Sequence, residues 1–97
     1  MTRAQMWDRI EGLQGQRLAT TTQHKPFLLE VANRGKEVVV IPESTKKRRP
    51  IKAEDVNRAY DLWQQKGQVR TVDLLDEGSA EWSSAYLVAL MQIAASG

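Results

Sequence analysis

The sequence predicts an α+β fold, with an N-terminal helix, a three-stranded antiparallel meander, and two or three helices packed on one face of the sheet. Three observations lead there. Apolar residues recur at helical spacing in the first dozen residues and again after Ile51. Between them lie β-branched and apolar runs of strand length, and an Asn-Arg-Gly-Lys turn separates the second run from the third. At 97 residues, 41% hydrophobic and 27% charged, the chain can close one modest core and not two, so residues 1–97 read as a single domain.

Met6, Trp7, Ile10 and Leu13 form the stripe of the first helix, which Thr2 is placed to cap and Gly12 and Gly15 limit. Strands follow at Leu18–Thr22, Phe27–Val31 and Glu37–Ile41. Asn33 and Gly35 tolerate the positive φ values of a tight turn, which makes the last two strands a hairpin. Pro42 and Pro50 bracket Glu43 to Arg49, a stretch with no apolar side chain to bury, and a loop is expected there. Ile51 can staple onto Val56 at the start of a helix whose buried face is Val56, Ala59, Tyr60 and Trp63. Glu54 and Asp55 suit the positive N-terminal dipole of that helix, and Gly67 ends it. A helical turn is expected at Val72 to Leu75. The last helix starts near Ser79 or Ser83 and buries Trp82, Ala85, Tyr86, Ala89, Leu90 and Ile93. Leu87, Val88, Met91 and Ala94 lie beside or behind that stripe, so the helix reads as apolar nearly all round and offers a surface for a homodimer.

The inventory for catalysis is thin. The absence of cysteine removes disulfides, thiolate metal sites and thiol chemistry, and suits a reducing compartment. No apolar run approaches the roughly 18 residues of a membrane span. The chain opens on a polar amphipathic stretch rather than a signal peptide, so a cytoplasmic protein with no membrane partner is expected. His24 is the only histidine, which excludes paired-histidine metal sites. Arg17 lies near it in sequence, but the intervening residues favour strand and would splay the two, leaving His24 in an exposed connection. Asp73, Asp76, Glu77 and Glu81 are the densest acidic group and lack the alternate-ligand spacing of a calcium loop. The glycines form no phosphate-cradling motif. No catalytic residue, cofactor or metal is therefore expected, and the chain does not read as an enzyme.

Charge is more informative. Residues 1–52 hold eleven Lys/Arg against five Asp/Glu, a net +6, while residues 53–97 carry a net −4. Lys46, Lys47, Arg48 and Arg49 are consecutive, with Lys52 close behind. Four adjacent cations repel one another, and a polyanion relieves that cost. Arg34 and Lys36 in the hairpin turn and Lys25 in the preceding connection would extend the surface if they lie on the same side. The reading is a non-catalytic module that contacts duplex nucleic acid through its phosphates, with DNA favoured over RNA because the Trp and Tyr residues fall on apolar helical stripes rather than among the cations. The alternatives are a protein-interaction module, acting as adaptor or inhibitor, whose basic face docks an acidic partner; a solvated charge run; and a nuclear import peptide, which Lys-Lys-Arg-Arg-Pro fits.

Two stretches carry a family resemblance. Ile41-Pro42-Glu43-Ser44-Thr45-Lys46-Lys47-Arg48-Arg49-Pro50-Ile51 follows a strand pair and leads into the helix of Ala59-Tyr60; Ser83-Ser84-Ala85-Tyr86-Leu87-Val88-Ala89-Leu90 opens the last helix. Together they resemble small accessory domains attached to restriction-type and other defence-associated DNA enzymes, over about residues 16–95. The resemblance implies a non-catalytic DNA-associated module, here without a nuclease in the same chain.

Overall fold

A computed structural model of the chain describes residues 2–20, 23–32, 37–76 and 81–96. Helix α1 (Arg3–Glu11) leads into strands β1 (Arg17–Ala19), β2 (Pro26–Ala32), β3 (Glu37–Pro42) and β4 (Arg49–Lys52); helices α2 (Ala53–Lys66), α3 (Thr71–Asp76) and α4 (Glu81–Ser96) follow. The expected α+β order holds, with one correction: the sheet has four antiparallel strands, ordered β1-β2-β3-β4, not three. Arg49 to Lys52, expected as the end of a loop and the approach to a helix, pair with Val40 to Glu37 of β3. Proline is compatible with this pairing because β4 is an edge strand with a free side.

Helix α1 begins where Thr2 was expected to cap it, in a reciprocal capping box. The Gln5 backbone N–H donates to Thr2 Oγ1 (3.1 Å), and the Thr2 N–H donates to Gln5 Oε1 (2.8 Å). Two side-chain bonds tie this helix to α2: Arg3 to Asp61 (2.9 Å) and Trp7 Nε1 to Asn57 Oδ1 (2.9 Å). Helix α2 stops at Gly67, whose φ of 73° is the left-handed conformation that favours glycine.

Strand alternation and register put Phe27, Leu29, Val38, Val40 and Ile51 on one sheet face, where all are buried in the core with Met6, Ile10, Val56 and Leu90. The helices cover this face. Helix α4 packs against α1, α2 and α3 together, so Leu87, Val88, Met91 and Ala94 are buried within the chain. The apolar surplus expected to support a homodimer is consumed internally. Ser83, expected as a possible cap, lies inside α4 and is buried, and Ser79 lies outside the described residues. Among the described residues, no helix is long and apolar enough to cross a membrane.

In the first turn of α3, Asp73 closes a small polar cluster. Its carboxylate accepts from Lys66 Nζ (3.1 Å) and from the Arg70 backbone N–H (3.0 Å), and these bonds, that of Lys66 foremost, hold it below the usual carboxylate range. A carboxylate that titrates lower when folded stabilises fully above its unfolded value and loses that contribution as pH falls through the folded one. Asp73→Asn is expected to lower Tm at neutral pH and to flatten the decline of Tm below about pH 4, as read by thermal melts of both proteins across an acid series.

Candidate nucleic-acid interface

The end of the sheet where β2 begins and β3 ends gathers most of the basic segment. Phe27 pairs with Pro42 there, and the Glu43 N–H donates to the Pro26 carbonyl (3.0 Å), fixing the start of the basic loop against β2. The chain then turns tightly: the Lys46 N–H donates to the Pro42 carbonyl (2.7 Å), and Lys46 takes φ 58°. Left-handed backbone at a residue with a Cβ costs on the order of 1 kcal/mol or more. It turns Lys46 and Lys47 outward, and both are exposed. On the other side of this end stands Lys25, held by reciprocal bonds between Thr20 and the β1–β2 connection: the Thr20 N–H donates to the Lys25 carbonyl (3.0 Å), and the Lys25 N–H donates to Thr20 Oγ1 (3.0 Å). His24 in the same connection is exposed, at φ 53°.

The basic residues expected to act together are divided by the strand. Arg48 reaches across β3 to an ion pair with Glu30 of β2 on the face away from the helices. Val39 lies between them on that face; it is outside the core cluster yet only 5% exposed. Arg49 takes the opposite side, its guanidinium 5.1 Å from the centre of the Trp82 ring. Lys52 is exposed but pairs across from Glu37, roughly 10 Å along β4 toward the far end of the sheet. Arg34 and Lys36 lie outside the described residues. The strand ends that flank them, Ala32 and Glu37, pair at the opposite end of the sheet from Pro42. The structure thus brings together Lys25, Lys46, Lys47 and Arg49, and separates Arg48 and Lys52 from them.

Lys25, Lys46, Lys47 and Lys52 form no salt bridge among the described residues, whereas Arg3, Arg17, Arg48, Arg58, Lys66 and Arg70 each do. Among the described residues, the carboxylate at this end is Glu43, which is bound to Arg17 (2.7 Å). That hydrogen bond holds it below the usual carboxylate range, with a smaller contribution from the charge of Lys46.

Sequence reasoning missed the cleft behind these cations. A depression of about 800 Å³ runs between the basic loop and α4; Trp82 and Tyr86 line its apolar side, and Lys25, Arg49, Ser44 and Thr45 its polar side. An adjoining depression of about 430 Å³ shares Lys25, Ser44 and Tyr86. Trp82 was expected in the core, yet it is 38% exposed, and Tyr86 is half-buried, edge-on to Phe27 at 5.0 Å. The correction has a physical origin: α4 is apolar on nearly every face, so its periodicity does not identify which aromatic residue falls at the core boundary.

No protein-family model, curated protein or solved structure matches this chain. No group of three or more His, Asp or Glu side chains able to hold a metal occurs among the described residues. What the arrangement can do chemically is attract and hold an anion: point charges on flexible stems at the rim, and the Arg49 guanidinium behind them.

Proposed function

We propose that this chain is a non-catalytic module that binds duplex nucleic acid, DNA foremost, through the cationic end of its sheet. One observation carries the reading: Lys25, Lys46 and Lys47 converge on that end with no salt bridge among the described residues, beside Arg49, while the acidic residue among them, Glu43, is already paired. Charges left unneutralised in one place are what a phosphate backbone compensates. The resemblance to accessory domains of DNA enzymes implies work of the same kind, whether alone, with a separate enzyme or as a small regulator that blocks one.

Four phosphate contacts give an expected log–log salt slope of roughly −3.6, a loss of about 150-fold in affinity between 50 and 200 mM salt. Fluorescence anisotropy with a labelled duplex across a salt series measures it. The double variant Lys46→Ala/Lys47→Ala is expected to halve the slope, and a variant that binds duplex as tightly and as salt-dependently as wild type removes the proposal. A protein-interaction module is the second reading. It is favoured by Leu28, 42% exposed and paired with Ile41 on the sheet face away from the helices.

A further inference from the structure

Trp82 is the most exposed aromatic side chain among the described residues, and the planar group lying on its ring is a cation supplied by a strand. An indole left at the wall of a cleft forgoes the burial that Leu87, Leu90 and Met91 of α4 obtain. The ring instead presents a π-face to a space bordered by lysine, arginine and hydroxyl groups. Among the described residues, no acidic side chain lines this larger cleft. A flat apolar face, a planar cation and hydroxyls at the rim match the parts of one nucleotide: a base that stacks, a phosphate that pairs, and polar base edges that accept and donate hydrogen bonds. The volume, about 800 Å³, lies in the range of small-molecule sites, roughly 300–1,000 Å³.

From this we infer that the cleft is a nucleotide pocket, in which a base stacks on Trp82 where the Arg49 guanidinium now lies, and Arg49 and Lys25 hold the adjoining phosphate. Ser44, Thr45 and Thr71, which border the same space, are placed to meet the base edge. The inference rests on the polyanion reading above and adds to it a preference for an unstacked nucleotide, free or within a single strand. Duplex bases are stacked on each other and cannot reach the ring. Lys46 and Lys47 lie outside the lining of this cleft and serve any phosphate backbone.

The test compares wild type with Trp82→Leu, which keeps an apolar side chain, and Trp82→Phe, which keeps a ring; far-UV circular dichroism and thermal melts verify that each folds. Anisotropy is read with a labelled oligothymidylate of about 12 nucleotides and with a duplex of the same length. Trp82→Leu is expected to weaken single-strand binding by roughly 5- to 150-fold, the equivalent of one stacked base, and to leave the duplex affinity unchanged; Trp82→Phe is expected to recover most of the loss. Titration with thymidine monophosphate, followed by tryptophan fluorescence, separates the two sources. Quenching that disappears in Trp82→Leu places free nucleotides in the pocket, and silence beside a Trp82-dependent oligonucleotide places only strands there. Equal single-strand affinity in wild type and Trp82→Leu overturns the pocket, as does a parallel loss on single strand and duplex. If neither nucleic acid binds at low salt, the polyanion reading itself falls.

Discussion

Phe27→Ala is expected to destabilise the protein by about 3–5 kcal/mol, a large part of the roughly 5–15 kcal/mol available to a chain of this length. Phe27 is fully buried on the sheet face that the helices cover, at the end where β2 begins. Its loss removes a large apolar surface and leaves a cavity between β2 and α4 that neighbours in regular elements cannot fill by small shifts. The effect reaches the candidate site, because the Tyr86 ring stands against Phe27 at 82°, with 5.0 Å between ring centres, and Tyr86 lines both depressions. Urea unfolding followed by circular dichroism gives the number, and a loss below about 1 kcal/mol would contradict the core role assigned to Phe27.

The second large effect is expected at Ile51. It is the only buried residue of β4, opposite Val38, and it shares the core with Val56 on the helix that follows. Ile51→Ala is expected to cost about 2–5 kcal/mol and to act unevenly. With its one anchor gone, the edge strand should open below the global unfolding threshold. Amide exchange at the Val38 to Val40 positions of β3 should then accelerate more than exchange across the β2–β1 pair. Uniform acceleration throughout the sheet would show that Ile51 stabilises the core without holding the strand. Arg49 belongs to the same strand, so the variant should also disturb its stacking on Trp82, detectable as a change in tryptophan emission.

The strand that Ile51 anchors is also the element that sequence reasoning failed to find. Arg49-Pro50-Ile51-Lys52 offers one apolar side chain, one proline and two cations, which is the composition of a connection. Its pairing is a tertiary event: Val38 and Val40 supply the apolar neighbours, and only the β3 side of the backbone has to be matched. Elements whose own residues specify them were legible, including the Thr2 cap, the β2 and β3 runs, and the helix ended by Gly67. In the site, the sequence signalled that cations cluster and placed Lys25 near enough to join them. It did not reveal the division of Arg48 from Arg49, which requires the pairing of β4, nor the exposure of Trp82, which requires the packing of α4 among three helices.

That division bears on how other molecules meet the basic tract. Arg48 and Arg49 are neighbours in the chain but look in contrary directions, one toward Glu30 and the other toward Trp82, as successive side chains of extended backbone do. A receptor that grips such a tract as a string of side chains, as nuclear import requires, would find alternate members facing away from it. To read the whole string it would first have to peel the edge strand from β3 and draw Ile51 into water.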